Sequence, residues 1–271
     1  MVDYSKYKFI KVEKKERVAI LTLNNPDAMN AIGKPEHAEI EHIFEDMNED
    51  PEVLAVILTG AGRAFSAGGD INLMIKGYTD HSIRISSTSV KRIVVNLLNC
   101  RKPVIAAING ACAGLGATLA LQCDVVIASE KARIGDPHIG VGILPGDGGI
   151  IIWPLLIGMA KAKYHLMTGE MVTAPEAERM GLIAKCVPAD KLMDEAWAQA
   201  KKFAEGPALA ISLTKMCLNK ILMDRVNLVF DTTIAYEYHT LNSADHFDAA
   251  KSFLEKRPPK FTSGDTDSFV F

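Results

Sequence analysis

Short, continuous apolar runs alternate with helix-spaced apolar residues along most of this chain. Runs at residues 53–59, 104–108 and 125–128 are typical of strands that are covered on both faces. Between them, residues 35–47 and 83–98 place apolar side chains at the 3.6-residue period of an amphipathic helix. Because crossover helices join parallel strands, this alternation predicts an α/β fold with a largely parallel sheet.

The two ends of the chain follow other patterns. Residues 9–12 and 18–23 are rich in β-forming side chains and predict an antiparallel hairpin. A short helix at 116–121 and a strand at 182–187 complete the alternating part. The later apolar spacing is helical and predicts helices at residues 190–204, 208–222, 225–241 and 244–255. We therefore expect a core over residues 1–200 and a helical C-terminal part over residues 201–271, whose tail after residue 256 is mobile or docks elsewhere.

The composition is that of a globular protein without a strongly charged partner. The 271 residues are 48% hydrophobic, which argues against a disordered chain. A net charge of −3 and the lack of a basic stripe argue against binding to nucleic acid. Residues 103–122 have no charge and imitate a membrane span. The Asn109-Gly110 turn signal inside them predicts a buried strand, a turn and a buried helix instead, so we expect no membrane contact.

The cysteines and the N-terminus bear on the cellular compartment. Five cysteines without a C-x-x-C pair indicate reduced, mostly buried thiols, and neither a disulfide scaffold nor a zinc site. The first fifteen residues are too highly charged for a secretory signal peptide. These features predict a cytoplasmic protein.

Five motifs follow one another along the chain. They are NNPDAMNAI (24–32), GRAFSAGGDI (62–71), a long segment at 102–129, a glycine-rich segment at 133–158 and FLEKRPPKF (253–261). In this order they resemble the enoyl-CoA hydratase/isomerase family, also called the crotonase family. The resemblance implies a spiral of ββα turns followed by helices that pack trimers, often as dimers of trimers. It also implies an acyl-CoA substrate, with coenzyme A entering as part of the thioester and no separate cofactor or metal.

Two glycine-rich turns match the part of the family motif that stabilises an enolate. By position, the resemblance implies that the backbone N–H groups of Gly69 and Leu115 form the oxyanion hole. The residues support this independently, because an enolate oxygen needs donors that are fixed in advance, and backbone N–H groups at turns supply them. Glycines at 68 and 114 permit tight turns and close approach of a ligand.

The proton chemistry departs from the family pattern. Hydratases of the family use two glutamates, and the matching positions here are Thr118 and His138. His138 and Asp147 instead stand nine positions apart, on either side of a glycine-rich loop. An imidazole oriented by a carboxylate is suited to general-base catalysis, so His138 is the predicted base and Asp147 its predicted partner. Asp136 is a competing partner for the same ring.

A His–Asp pair of this kind resembles a branch of the family that hydrolyses carbon–carbon bonds of β-diketones. That branch also has an acidic residue on a late helix, where Glu237 stands here, so the resemblance adds Glu237 as a candidate catalytic residue. Without the resemblance, Glu237 belongs to a polar helical stretch with a solvated or inter-subunit face. The branch has a histidine at the position of Leu115, which this chain lacks.

The family holds coenzyme A largely through the main chain. The resemblance transfers this role to Ala28, Ala31, Ala67, Asp70 and Ile71. Lys256 and Lys260 are candidates for contacts with the phosphates, across a subunit boundary in an oligomer.

Three functions stay open at this point. The first is a lyase or isomerase acting on an acyl-CoA or enoyl-CoA thioester, and the second is a carbon–carbon bond hydrolase acting on a β-diketone. The third is an acyl-CoA binding protein that has lost catalysis. The chain lacks G-x-G-x-x-G, G-K-[ST], H-E-x-x-H and G-x-S-x-G motifs, which argues against the common nucleotide-binding, zinc-dependent and serine-hydrolase functions.

Overall fold

The computed structural model describes residues 2–80 and 87–263. Within these residues it has ten strands, β1 (Ile10–Lys15), β2 (Val18–Leu23), β3 (Ala55–Gly60), β4 (Ala64–Ser66), β5 (Val104–Ile108), β6 (Ala111–Ala113), β7 (Val125–Ser129), β8 (Arg133–Gly135), β9 (Val172–Thr173) and β10 (Lys185–Val187). Its helices are α1 (Lys34–Glu49), α2 (Ile71–Thr79), α3 (Ser87–Asn99), α4 (Leu115–Leu121), α5 (Gly149–Ile157), α6 (Met159–Thr168), α7 (Ala174–Met180), α8 (Leu192–Ala204), α9 (Ala208–Leu241) and α10 (Ala244–Glu255). The predicted α/β class is therefore confirmed.

The larger sheet has six strands in the order β1-β2-β3-β5-β7-β10. The hairpin β1–β2 is antiparallel, and each pairing from β2 onwards is parallel. All five residues of β5 are buried, as the continuous apolar run predicts for a central strand with both faces covered. Helix α8 covers one face of this sheet, where Ala196 and Ala200 are fully buried with side chains of β3 and β5.

A second sheet, which the sequence analysis did not predict, has the order β4-β6-β8-β9. Its strands have only two or three residues, too few for an alternating or continuous pattern to be recognised. Strands β3, β5 and β7 of the first sheet are each followed by a short strand of the second, which is the predicted spiral of ββα turns. Because β4, β6 and β8 run parallel, the residues after their C-terminal ends meet at one edge.

The C-terminal helices differ from the prediction in one respect. Residues 208–222 and 225–241 are not two helices but the single, 34-residue helix α9, which is about 51 Å long. No proline or glycine stands at residues 223–224 to end it. Helix α10 begins where predicted and packs against α2, where Phe247 stacks on Tyr78 at 4.5 Å between ring centroids.

Some of the predictions made from the sequence are not tested by the described residues. The N-terminal part of the predicted helix 83–98 and the end of the predicted tail lie outside the described residues. The boundary at residue 200 also stays a prediction. No helix in residues 2–80 and 87–263 combines the length and apolarity needed to cross a membrane. Cys100, Cys112 and Cys123 are buried free thiols.

Candidate active site

Two glycine turns touch each other at the shared edge of the second sheet. Gly68 has φ +87° and Gly114 has φ +51°, a left-handed region that favours glycine. A Cβ atom added to Gly68 would lie 2.7 Å from the Ala113 carbonyl oxygen and 3.6 Å from Gly114 Cα. The turns therefore pack backbone against backbone, at a distance that only glycine allows.

Backbone hydrogen bonds fix both turns in place. Ile32 N–H donates to Gly68 O at 2.7 Å, and Gly114 N–H donates to Gly135 O at 3.1 Å. Leu115 is the first residue of α4, so its N–H has no acceptor within the helix. The structure thus brings the Gly69 and Leu115 segments together, as a two-donor site requires, while the Leu115 side chain is buried in the hydrophobic core.

His138 lies directly beside the second turn. It belongs to a short 3-10 turn, Pro137–Val141, and is only 8% exposed. A Cβ atom added to Gly114 would lie 3.2 Å from His138 Cε1 and 3.5 Å from His138 Nε2. The Nε2 edge of the imidazole therefore faces the backbone that leads into Leu115.

Both candidate partners lie at the His138 ring, on different nitrogen atoms. Asp136, which is 1% exposed, makes the close contact with Nδ1, whereas Asp147 Oδ2 lies 3.7 Å from Nε2. Of the two partners that the sequence leaves open, Asp136 therefore contacts Nδ1, because Pro137 begins the 3-10 turn that places residues 136 and 138 together. Asp147 instead stands at the other end of the ring, next to the edge that faces Gly114.

Thr118 holds Asp147 in this position. Its Oγ1 donates a hydrogen bond of 2.9 Å to Asp147 Oδ1, inside the protein. Sequence analysis treated Thr118 only as a missing glutamate and did not recognise this contact. A buried carboxylate therefore does stand beside position 118, although the loop after Pro145 supplies it rather than α4.

The charges in this cluster affect one another strongly. Burial lowers the pKa of His138, but the carboxylates of Asp136 and Asp147 outweigh it and raise that pKa to about 10. Burial raises the pKa of Asp147 to about 6, although the charge of His138 acts in the opposite direction. At neutral pH the ring is accordingly a cation, and Asp147 is mostly ionised.

Glu237 faces the same cluster from α9. It is 6% exposed, so the solvated face suggested by its polar neighbours is wrong, and an inter-subunit face stays a prediction. Gly146 permits this approach, because a Cβ atom there would lie 2.4 Å from Thr233 O and 2.8 Å from Glu237 Oε2. Burial, followed by the charge of Asp147, raises the pKa of Glu237 to about 8. Its Oε2 atom has no hydrogen-bond partner among the described residues.

Two carboxylates and an imidazole are also groups that bind divalent cations in proteins. Asp136, His138 and Asp147 each offer a ligand atom within 4.8 Å of the others, in the described part of the chain. However, the close contact of Nδ1 with Asp136 uses the ring proton as a hydrogen-bond donor. With its pKa raised to about 10, the ring also keeps its Nε2 proton at neutral pH, which leaves the carboxylates of Asp136 and Asp147, fewer than the three or four protein ligands of usual zinc sites.

Most of the predicted coenzyme A contacts lie around the first glycine turn. Ala67 N–H donates to Met29 O, and Ala31 N–H donates to Ala28 O, so the two segments run side by side. Asp70 caps the N-terminus of α2 by accepting from Asn72 N–H and Leu73 N–H. Ile71 is the first residue of that helix.

The two lysines predicted to bind the coenzyme A phosphates make no described contact with the residues around the first glycine turn. Lys256 and Lys260 are exposed and follow the C-terminus of α10. Lys260 N–H donates to Asp248 on the same helix. Their predicted role stays a prediction.

Comparison with known proteins identifies the family of this fold. Residues 13–264 match the family model described as enoyl-CoA hydratase/isomerase. A short-chain-enoyl-CoA hydratase of Clostridium acetobutylicum is 37% identical, with coverage of 91% of this chain and 94% of the relative. A probable enoyl-CoA hydratase of Mycobacterium bovis is also 37% identical, over 94% of this chain and 98% of the relative. The crystal structure of an enoyl-CoA hydratase/isomerase from Mycobacterium paratuberculosis superposes with a TM-score of 0.87 at 34% identity, covering 92% of this chain and all of that one. The chain therefore belongs to the enoyl-CoA hydratase/isomerase family.

Proposed function

We propose that this protein hydrates the double bond of an enoyl-CoA thioester, through an enolate held between the N–H groups of Gly69 and Leu115. The observation that carries the proposal is the contact of the two glycine turns, with the Nε2 edge of His138 directly beside Gly114. The thioester oxygen would lie between the two N–H groups, and the reacting carbons would lie next to His138. Fixed backbone donors stabilise the developing oxyanion without reorganisation.

The pKa shifts support assigning the two proton transfers to two different residues. Asp147, mostly ionised at neutral pH, is the base that takes a proton from water as the oxygen attacks C3. The His138 imidazolium then donates its Nε2 proton to C2 of the enolate. In the reverse reaction His138 removes the C2 proton, which is the general-base role predicted from the sequence. Pairs of groups with separated pKa values are the usual basis for such assignments.

Asp136 and Thr118 position the two reacting groups. Asp136 accepts a hydrogen bond from His138 Nδ1–H and stabilises the charged ring. Thr118 donates to one oxygen of Asp147 and leaves the other directed towards His138. No metal takes part in this scheme, so treatment with a chelator should leave the rate unchanged.

A carbon–carbon bond hydrolase is the second candidate. It is favoured by Thr118 and His138, which stand where hydratases have two glutamates, and by the Asp147 carboxylate beside the ring. In that reaction the activated water would attack a ketone, and the leaving carbon would depart as the enolate bound at the two turns. Leu115 argues against it, because its apolar side chain adds no donor to the oxyanion site.

The two candidates are separated by their substrates. Crotonyl-CoA and a cyclic β-diketone are incubated with the wild-type protein and with His138→Gln, and each product is followed. Loss of the crotonyl-CoA double bond, reduced at least 100-fold in the variant, supports hydration. Cleavage of the diketone with an inert thioester would replace the proposal by the second candidate. Tight binding of crotonyl-CoA without turnover would leave only an acyl-CoA binding protein.

We also propose the trimer, or dimer of trimers, that the resemblance implies. It is supported by apolar side chains that α9 leaves exposed, such as Leu209, Leu218 and Leu228, which are 74%, 60% and 66% exposed. Sedimentation of a concentration-independent monomer would contradict this. We keep the cytoplasm as the proposed compartment.

A further inference from the structure

The acyl end of the proposed site contains a buried acid that the hydration scheme does not use. Glu237 reaches the cluster from α9 and lies against Gly146, the residue before Asp147. Starting at Gly114, the described contacts lead to His138, then over 3.7 Å to Asp147, and then to Gly146 and Glu237. A thioester whose carbonyl lies at the turns and whose C2 and C3 lie at His138 and Asp147 would therefore extend towards Glu237.

A hydrocarbon chain would be a poor neighbour for this acid. Glu237 is 6% exposed, and its Oε2 atom has no partner within residues 2–80 and 87–263. A buried polar atom without a hydrogen bond costs about 1–3 kcal/mol. Such atoms in native proteins call for an explanation, and a ligand that completes the hydrogen bond is one.

The state of the carboxyl group determines which ligand atom fits. With its pKa raised to about 8, Glu237 is protonated at neutral pH and has a proton to donate. The adjoining carboxylates of Asp136 and Asp147 disfavour an anionic ligand here, since like charges repel. A neutral oxygen that accepts a hydrogen bond is the matching group.

We propose that Glu237 binds a keto or hydroxyl oxygen beyond C3 of the acyl chain, so that the substrates of this enzyme are oxygenated acyl-CoA thioesters. This rests on the proposed thioester function and narrows its substrate class. Glu237 is then a specificity residue that contacts the substrate.

Binding of two saturated thioesters tests this without turnover. Pentanoyl-CoA and 4-oxopentanoyl-CoA differ by one keto oxygen at C4, and calorimetry gives the Kd of each. We expect the wild type to prefer the oxo compound roughly tenfold or more. Glu237→Leu should lose this preference, and Glu237→Gln, whose amide still donates, should keep part of it. Asp224→Asn, which changes an exposed acid on the same helix, should keep all of it.

The pH dependence gives a second test if Glu237→Leu does not fold. The groups around Glu237 are Asp136, His138 and Asp147, with His246 of α10 facing His138. In the wild type the preference should fall as pH rises through about 8, because ionised Glu237 has no proton to donate. In Glu237→Gln that step should be absent.

Three results would overturn the inference. They are an equal Kd for the two thioesters in the wild type, an unchanged preference in Glu237→Leu, and a pH step that persists in Glu237→Gln. Failure of the proposed function would look different: either neither thioester would bind to any of the proteins, or both would bind while crotonyl-CoA stays unhydrated in the assay above.

Discussion

The two sides of the site do their chemistry with different parts of the chain. On one side, the turns at Gly68–Gly69 and Gly114–Leu115 offer backbone N–H groups, and the nearby side chains serve packing. On the other side, Asp136, His138 and Asp147 offer functional side chains on an irregular loop. The two sides should therefore respond differently to substitution. At the turns, activity should survive a changed side chain at Leu115 but not a Cβ added to a glycine. In the loop, activity should be lost when a functional group is changed.

The largest effect is expected on the side-chain half of the site. His138→Gln and Asp147→Asn remove proton transfer while retaining the shape of each side chain, so kcat for crotonyl-CoA should fall about 100- to 10,000-fold. KM should change little, because the backbone donors remain. Steady-state kinetics, with circular dichroism to confirm folding, checks this. A change of less than threefold in both variants would remove the two residues from the mechanism.

A nearly equal effect is expected from one added methyl group on the backbone half. Gly68→Ala places a Cβ 2.7 Å from Ala113 O at a φ of +87°, so the turns must separate. Displacing one oxyanion donor should lower kcat about 100- to 1,000-fold. Gly140→Ala is the matched control, because it lies in the loop beside His138 and has no atom within 4 Å of the added Cβ. Similar losses in both variants would contradict the special role of the turn.

The pH profile distinguishes the two groups of the loop. Activity needs ionised Asp147 and protonated His138, so kcat/KM should rise through about pH 6 and fall through about pH 10. Thr118→Val removes a hydrogen bond that favours the Asp147 carboxylate, so its pKa should rise and the acid limb should move to higher pH. An acid limb that stays in place would show that Asp147 is not the base.

The smallest effect is expected at Leu115, although it supplies one of the two donors. Leu115→Met leaves the N–H in place, so kcat should stay within a few-fold of the wild type. The cost in folding free energy should be below about 1.5 kcal/mol, because the buried volume is retained. Kinetics and thermal unfolding measure the two quantities. A loss of 100-fold in kcat would mean that the side chain, and not the N–H, acts in the site.

The same contrast explains how much the sequence could predict. The turns were predictable, because a backbone that must pack against backbone at positive φ restricts the residue at 68 and 114 to glycine. The strands that carry these turns were not, since two or three residues show no period. In the loop, His138 was found by its type, but the choice between Asp136 and Asp147 as its partner stayed open, because a distance across a loop is not encoded in spacing. Glu237 was a candidate only through the resemblance, since nothing in its helix indicates that Gly146 lets it approach a buried cluster.

Exchange of the C2 protons of butyryl-CoA in deuterated water tests the central claim most directly, because it requires only an enolate and the base that forms it. Followed by NMR, the wild type should incorporate deuterium at C2, faster as pH rises towards 10 and His138 loses its proton. Gly68→Ala and His138→Gln should each slow the exchange at least 100-fold, and Gly140→Ala should not. Butyryl-CoA that binds to the wild type but shows no exchange at any pH would contradict enolate stabilisation at the two turns.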